Sequence, residues 1–446
     1  MSYSNKKWYK PTNLRTKIIF VIILLFVIRL LANIPVPFIN RDYLSTLFAD
    51  SSAYSLLNMF SGGAFTQMTL MALGVTPYIS ASIILQLLTV TFPKLKDYQK
   101  SEYDKKRWKM LLVIVSVVLG IIQSIGIAIT LGHRGLFSTY NFGSVLLVCF
   151  LWVIGATITV LIGEYISKYC IGNGISLILA TNIVSELPGD VLNFWTIYVH
   201  NKASIKIVIA AFIFVAVVTG LIAFTIVIQN AKKEISVNYP SSDFKTSTRK
   251  VSSSIPIQLN AAGVMPIIFT STIFSLPLMF INTTNLNKFT TVLYNICNSS
   301  RWYSLSNWLG FIGIALYFVM VVAFAYFYTA ITFNPDEIAA RLQKRGACIP
   351  GIRPGKPTAD YLYNKSKYMT GIGAVLLFFL TQVPTIITCT TSMGSLSFGG
   401  TSVIIVVGVI IETATTIKSD LMMKSYVKNS EKQFFGISLN KSNVSM

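Results

Sequence analysis

Long apolar runs separated by short polar segments dominate the chain. A hydrocarbon core of about 30 Å needs ~20 apolar residues, and ten runs approach or reach that length, so each predicts a membrane-spanning helix. The first run passes directly into Pro35-Val36-Pro37 without a small-residue cleavage site, which favours a retained span. The predicted spans cover residues 18–34, 70–92, 110–132, 144–163, 175–195, 206–229, 259–281, 307–331, 369–389 and 400–417.

Residues 56–92 form one apolar stretch that is too long for a single span. Gly62-Gly63 lies near one end, where glycine's access to positive φ permits a chain reversal. The stretch therefore predicts a short re-entrant helix followed by a full span from about Leu70. Irregular backbone at membrane depth is tolerated only where it is buried in protein or lines a watery cavity. This segment thus indicates a pore or cavity.

The motif Gly-Val-x-Pro-x-Ile-x-x-Ser occurs twice, beginning at Gly74 and at Gly263. In the predicted topology the two copies enter the membrane from opposite sides, which is typical of an inverted repeat with a site near the midplane. Chance similarity among common membrane residues is the alternative. We predict an all-α polytopic membrane protein with ten transmembrane helices in two inverted pseudo-symmetric halves, residues 1–200 and 201–446.

Composition and charge agree with a membrane protein and orient it. The chain is 53% hydrophobic, with a formal net charge of +21. Most of its 37 Lys and Arg residues fall in segments that share a side with both termini. The positive-inside rule therefore predicts that both termini are cytoplasmic. The excess positive charge also favours attraction to anionic lipid and, more weakly, an acidic partner such as ribosomal RNA.

Catalytic and ion-binding chemistry finds no support in the residues. HExxH, GxSxG and phosphate-loop motifs are lacking, the five cysteines show no metal spacing, and His133 and His200 fall in loops. Among the acidic residues, Glu164 and Glu412 are read as the nearest to the membrane, so no mid-span carboxylate pair is expected. We predict no enzyme activity, no metal and no cofactor. Arg29, inside the first span, is expected to snorkel outward or to pair at an interface.

Aliphatic residues beside the predicted helix breaks are candidates for a hydrophobic constriction. Spacing of four places pairs of them on one helix face, and both halves of the chain contribute. Such a ring can block ions by dewetting and still admit a bulky flexible solute. Ordinary core or lipid-facing aliphatics are the alternative, which composition alone favours. The candidate residues are Val75, Ile79, Ile175, Leu179, Ile268 and Ile405.

Two predicted cytoplasmic segments, residues 230–258 and 332–367, are longer than simple connectors require. The first is polar, basic and Ser/Thr-rich, and the second combines a helical pattern from Pro335 to Arg345 with a Gly/Pro-rich tip. Long ordered loops are usually functional, so the second segment predicts a docking surface. Solvated loops are the alternative for both.

Five segments resemble the SecY family, the central subunits of bacterial protein-translocation channels. They occur in the same order and extend over essentially the whole chain, and residues 58–88 resemble the family's plug and second span. The other segments resemble its fifth span, seventh span, partner-binding loop and tenth span; they are residues 170–177, 260–269, 334–358 and 399–409.

The resemblance implies an hourglass channel whose two halves open like a clamshell. It assigns the six aliphatic residues to a pore ring and implies a lateral gate between spans 2 and 7, flanked by spans 3 and 8, with Gln86, Gln123 and Asn260 as its polar contacts. Arg345, Arg353 and Lys356 would contact cytoplasmic partners. The implied plug is Leu57, Asn58, Met59, Phe60, Ser61, Gly62, Gly63, Ala64, Phe65, Thr66 and Gln67.

The partners that the family implies are SecE- and SecG-like small membrane subunits, the SecA motor, the ribosome, signal peptides and unfolded polypeptides. Segment 230–258 departs from the family pattern, and Glu412 stands where an aspartate is expected. These departures leave open an accessory Sec channel paralogue for few substrates. A secondary transporter is the rival from another class, but it would need a polar midplane site. A scaffold or insertase without a through-pore is a further rival.

Overall fold

The computed structural model describes residues 14–40, 55–92, 102–132, 135–137, 140–198, 205–238, 253–281, 287–303, 308–390 and 400–442. His133, His200 and the tip of segment 230–258 lie outside these ranges. The described chain is mostly helical. In order, its elements are α1 (Leu14–Leu31), α2 (Ser55–Ser61), α3 (Thr76–Thr91), α4 (Glu102–Gly132), α5 (Phe142–Tyr169), α6 (Gly174–Tyr198), α7 (Ile205–Asn230), β1 (Lys232–Val237), β2 (Ser253–Gln258), α8 (Met265–Phe280), α9 (Lys288–Cys297), α10 (Leu309–Thr332), α11 (Pro335–Lys344), α12 (Lys356–Thr390) and α13 (Gly400–Ser442).

Five helical stretches in the described part are long and apolar enough to cross a membrane. They lie in α4, in α5, in α10 with its continuation into α11, in α12 and in α13. Shorter apolar helices occur at Thr76–Thr89, Gly174–Gly189, Val218–Asn230 and Met265–Leu278. Helix α1 has an apolar centre but carries Arg15, Lys17 and Arg29.

The sequence echo is matched by two nearly identical helix starts. Gly74 and Gly263 both adopt positive φ, +51° and +63°, a conformation that costs glycine little. Val75 and Val264 then have φ of −95° and −90° at the N-caps of α3 and α8. Each helix has a proline in its first turn and runs for 16 residues. The repeated motif therefore encodes the same local structure twice.

The predicted re-entrant segment is a short helix followed by turns. Helix α2 has seven residues, and the reversal occurs at Gly62 and Gly63, with φ of +65° and +84°. The prediction that the next span begins at about Leu70 was wrong. Turns continue to Val75, and α3 begins at Thr76, because Gly74 at positive φ and Pro77 set the helix start.

A two-stranded antiparallel sheet corrects the all-α expectation. β1 pairs with β2 from Lys232↔Gln258 to Val237↔Ser253, so the ends of segment 230–258 form a hairpin. Its apolar residues pack with those of α11, the 347–349 turn and α12 in one cluster. Segment 332–367 contains the predicted short helix, α11, but its last residues belong to α12. The two segments thus form one folded unit, named here the hairpin module.

Helix α5 approaches the turns after α2 so closely that only glycine fits at position 155. A Cβ there would lie 2.0 Å from the carbonyl oxygen of Leu70. We expect Gly155→Ala to lower the free energy of unfolding by about 1–3 kcal/mol, because backbone must move to make room. The thermal unfolding midpoint of purified protein in detergent measures this.

Gly143→Ala on the same helix is the matched control, since a Cβ there meets nothing within 4 Å. We expect it to leave the midpoint unchanged or slightly higher, because alanine loses less backbone entropy than glycine on folding. Equal midpoints for the two variants would contradict the close approach.

Candidate functional site

The six aliphatic candidates meet in one buried hydrophobic cluster. Their exposed fractions range from 0% for Val75 and Ile405 to 7% for Ile175. They come from the start of α3 and from α6, α8 and α13, and thus from both predicted halves. The matched helix starts bring Val75 and Ile79 to the same cluster as Val264 and Ile268. Because aliphatic side chains offer no hydrogen bonds, such a cluster excludes water and ions.

The α2 segment contacts this cluster directly. Met59 and Phe60 are buried members of it. Leu57 and Phe65 pack instead into a second cluster with residues of α4 and α5, including Trp152. The segment therefore fills the space between the aliphatic cluster and the α4–α5 pair.

Asn58 and Ser61 hydrogen-bond to residues that follow them in the chain around α2. The Asn58 carbonyl oxygen accepts hydrogen bonds from the Gly62 and Gly63 amides, at 2.7 and 3.2 Å. Its side-chain oxygen accepts one from the Thr66 amide at 3.1 Å, and Ser61 Oγ accepts one from the Phe65 amide at 2.9 Å. Residues 58–66 are thus internally bonded. Ala64 is buried in a small cluster with Ala32 and Met71, and Gln67 is exposed.

Arg29 pairs at an interface, one of the two outcomes expected for it. Its guanidinium donates to the Gly62 carbonyl oxygen at 3.0 Å and to the Thr181 carbonyl oxygen at 3.0 Å. It also donates to Ser185 Oγ. The side chain therefore connects α1, the turn after α2, and α6.

Glu186 is a residue that sequence reasoning missed. It lies within α6 and accepts a hydrogen bond from Asn58 Nδ2 of α2 at 2.6 Å. Nearby, Asn182 Nδ2 donates to the Phe60 carbonyl oxygen at 2.7 Å. The available signal was a carboxylate inside the apolar run 175–195.

Each of the three polar gate candidates donates a hydrogen bond to a residue outside the set. Gln86 Nε2 donates to Ser82 Oγ on its own helix at 3.0 Å, Gln123 Nε2 to Ser80 Oγ at 3.3 Å, and Asn260 Nδ2 to the Gly263 carbonyl oxygen at 2.8 Å. Among the described residues, the Oε1 atoms of Gln86 and Gln123 are buried without a hydrogen-bond partner.

Packing between α8 and the α3–α4 pair relies instead on small and apolar groups. Phe280 lies against Gly126 of α4, where a Cβ would come within 2.2 Å of its ring. Buried hydroxyls of α8 bond within their own helix: Thr270 to the Pro266 carbonyl oxygen at 2.8 Å, and Thr272 to that of Ile268 at 2.7 Å. These hydroxyls would keep their partners if the helices separated.

Arg345, Arg353 and Lys356 are exposed on two adjacent turns of the hairpin module. The turns are close, since a Cβ at Gly355 would lie 3.6 Å from Gln343 Oε1. The Arg353 carbonyl oxygen accepts a hydrogen bond from Thr358 Oγ1 at 2.8 Å, which fixes the turn before α12. In the strand nearby, hydrogen bonds from Lys232 and Ser254 lower the pKa of the exposed Glu234 carboxylate.

A cavity of about 630 Å³ adjoins the start of α6. Its charged groups are largely paired: Lys109 Nζ lies 2.6 Å from Glu164 Oε2, and Lys17 Nζ lies 4.0 Å from Asp420. Cys170 also lines it, and burial raises the pKa of the Cys170 thiol, which disfavours the reactive thiolate.

Comparison with known proteins gives consistent matches. The family model described as SecY matches residues 69–414. The protein translocase subunit SecY of Pyropia yezoensis is 34% identical over 418 residues, which cover 94% of this chain and 98% of that protein. A structure of the SecY protein, reported for a plug domain that stabilises the closed translocation channel and maintains a membrane seal, has a TM-score of 0.65 at 18% identity, covering 92% of this chain and 94% of that one. Sec61 in the canine ribosome-channel complex from the endoplasmic reticulum has a TM-score of 0.63, with the same identity and coverage.

We expect Gln123→Leu to leave the free energy of unfolding unchanged or to raise it by up to about 1 kcal/mol, so that the thermal unfolding midpoint stays the same or rises. A buried oxygen without a partner costs free energy that leucine does not incur. The measurement is thermal unfolding of purified protein in detergent.

Gln382→Leu provides the comparison, because Gln382 is equally buried and its Oε1 accepts a hydrogen bond from the Tyr303 hydroxyl at 2.8 Å. We expect it to lose about 1 kcal/mol. A larger loss for Gln123→Leu than for Gln382→Leu would show that the Gln123 oxygen has a stabilising role.

Proposed function

Because this chain belongs to the SecY family and is a protein-conducting channel subunit, not an enzyme, we propose that it translocates unfolded, signal-bearing polypeptides. We further propose that it works in the plasma membrane with both termini cytoplasmic and releases membrane segments laterally into the lipid. The observation that carries the proposal is that six aliphatic residues from both halves lie in one buried hydrophobic cluster.

We assign these six residues to the pore ring. In the resting channel the ring would be shut, and during transport it would surround the translocating chain. In neither state would it offer a fixed polar site. The ring residues are Val75, Ile79, Ile175, Leu179, Ile268 and Ile405. Contacts between aliphatic groups are non-directional, so the ring can adapt to side chains of any sequence while still excluding ions.

Residues 57–67 are proposed as the plug. The segment contributes Met59 and Phe60 to the cluster that contains the ring residues, and positive φ at Gly62 and Gly63 reverses the chain after α2. The structural neighbour whose plug domain stabilises the closed state supports this assignment by likeness of fold. Removing the segment from the cluster would expose the ring to water.

The lateral gate is proposed between α3 and α8, with α4 and α10 beside it. Self-bonded hydroxyls on α8 lower the cost of separating these helices, since Thr270 and Thr272 keep their hydrogen bonds when the helices part. Gln86 and Gln123 would favour the open gate over the closed one. Their Oε1 atoms are buried without hydrogen-bond partners, and opening would let water hydrate them. Asn260 holds the turn from which α8 starts.

A signal sequence would open this gate by preferring the open state. Its apolar core of ~10 residues gains roughly 0.8 kcal/mol for each methylene it buries at the slot between the helices. A ligand shifts an equilibrium only through its differential affinity for the two states. The channel itself supplies no chemical energy, so the work of transport would come from the SecA motor or the translating ribosome.

The exposed basic turns of the hairpin module are the proposed docking site for those partners. Arg345, Arg353 and Lys356 project from a unit held by its own hydrophobic cluster, and one structural neighbour is a channel bound to a ribosome. Ribosomal RNA and acidic protein surfaces both suit a compact basic patch. SecE- and SecG-like small subunits and anionic lipid would complete the assembly in the membrane.

We also propose that the chain has ten spans in two inverted halves, residues 1–200 and 201–446. The matched helix starts at Gly74 and Gly263 support a repeat. A secondary transporter and an accessory paralogue are not favoured, since family membership and the apolar cluster both suit a general protein channel.

Deletion of residues 57–67 tests the plug. We expect a higher ion conductance in resting membrane vesicles and passage of precursors with weakened signal sequences, because the ring loses its cover. Conductance is measured in vesicles where the variant replaces the natural chain. Unchanged conductance together with an unchanged signal requirement would refute the plug assignment.

Substitution of Arg353 tests the docking surface. We expect Arg353→Ala to reduce motor- or ribosome-dependent translocation by about tenfold, the effect of losing roughly 1.4 kcal/mol of charged interface contact, without changing resting conductance. Arg341→Ala is the matched control, since that exposed arginine is already paired with Glu337 at 2.6 Å. Equal effects of both substitutions would count against a specific role for Arg353.

A further inference from the structure

Three side chains from α1 and α6 reach the plug segment through hydrogen bonds. Arg29 and Asn182 donate to the carbonyl oxygens of Gly62 and Phe60, at 3.0 and 2.7 Å. Glu186 accepts from the Asn58 side chain at 2.6 Å. All three contacts fall within one turn of the end of α2. Apolar burial holds the other face of the segment.

We propose that Arg29, Asn182 and Glu186 form a polar latch that holds the plug closed and sets the threshold for channel opening. This inference rests on the proposed role of residues 57–67 as the plug. It adds that the closed state is controlled by residues outside both the plug and the pore ring.

The latch recognises mainly the plug backbone. Two of its three contacts end on carbonyl oxygens, so they do not depend on plug side chains. Hydrogen bonds made by a charged donor such as Arg29 are stronger than neutral ones, and the bond from Asn182 to the Phe60 carbonyl oxygen is buried, so water competes for it weakly. The plug position is therefore fixed directionally, which burial of Met59 and Phe60 alone cannot do.

Release of the plug would not leave the Arg29 guanidinium without partners. Arg29 also donates to the Thr181 carbonyl oxygen and to Ser185 Oγ, both on α6, and Glu186 attracts it electrostatically. Of the hydrogen bonds that Arg29 makes, only the one to the Gly62 carbonyl oxygen is lost when α2 moves. This matters because an orphaned buried charge would make opening prohibitively costly. The arginine can thus hold the plug in one state and remain bonded to α6 in the other.

The first test removes the donors. We expect Arg29→Met and Asn182→Ala each to raise resting ion conductance and the translocation of precursors with weakened signals by about tenfold. Arg29→Lys should fall between Arg29→Met and the unchanged chain, because one ammonium cannot serve three acceptors in the geometry of the guanidinium fork. Each variant is compared at equal amounts in the vesicle membrane.

Lys17→Met is the matched control for charge removal. Lys17 is on the same helix but lies beside Asp420, away from the plug contacts. We expect it to leave resting conductance unchanged. An equal rise with Lys17→Met and Arg29→Met would overturn the latch, since loss of charge on α1 would then suffice.

A second test leaves all latch side chains in place. Gly62 and Gly63 both have positive φ, so alanine is strained at either position. A Cβ at Gly62 would lie 2.3 Å from the Arg29 guanidinium, whereas one at Gly63 meets only Glu186 Oε1 at 3.7 Å. We expect Gly62→Ala to raise conductance several-fold more than Gly63→Ala. In the Arg29→Met background that difference should disappear, as for coupled positions.

The plug deletion separates the two ideas. If the deletion raises conductance but Arg29→Met, Asn182→Ala and Gly62→Ala do not, the plug stands and the latch is refuted. If the deletion has no effect either, both fall. Raised conductance in the deletion and in all three substitutions, with persistence of signal-dependent transport, supports the latch.

Discussion

Backbone amides and carbonyls at membrane depth must find hydrogen-bond partners inside the protein, because the bilayer offers no water. The centre of this channel depends on that constraint being met at two broken helices. The Gly74 amide bonds the Met71 carbonyl oxygen at 2.8 Å, and the Gly263 amide bonds that of Asn260 at 3.2 Å. The flanking chain is tied down in turn, since the Leu70 amide bonds the Ile34 carbonyl oxygen at 3.0 Å. Only with these turns satisfied can α3 and α8 begin where their first residues meet.

Apolar and polar interactions then have different roles at the point where the first residues of α3 and α8 meet. Aliphatic contacts seal it but specify no geometry, so they can re-form around different occupants. Polar contacts to residues 58–62 specify one geometry and are lost when that geometry changes. A barrier that must be tight at rest and tolerant in use needs both properties, and here different residues supply them.

Sequence reasoning succeeded where the signal was local. Glycine and proline act on their own backbone, so the reversal at Gly62-Gly63 and the repeated motif at Gly74 and Gly263 were readable, and the four-residue spacing of aliphatic residues led to the cluster. The helix starts at Thr76 and Met265 were missed, because the predicted spans 70–92 and 259–281 ran through both glycines. The start of α12 was misread because residues 356–367 are polar although helical, and hydropathy marks only the apolar part of a helix.

Interactions between distant segments were less accessible. The hairpin escaped because strand pairing joins Ile235 to Ile255 across a polar stretch, although alternation at Ile235-x-Val237 and Ile255-x-Ile257 was a usable sign. Glu186 depended on a partner at Asn58 that only the fold brings near. Gln86 and Asn260 were expected to act between helices, yet each bonds within four residues.

Helix α12 adds a mechanical consequence: its 35 residues extend for about 50 Å, from the basic turn at Lys356 into the apolar interior. A displacement of that turn is therefore transmitted along one continuous helix, and Pro384 is the position at which this helix can kink.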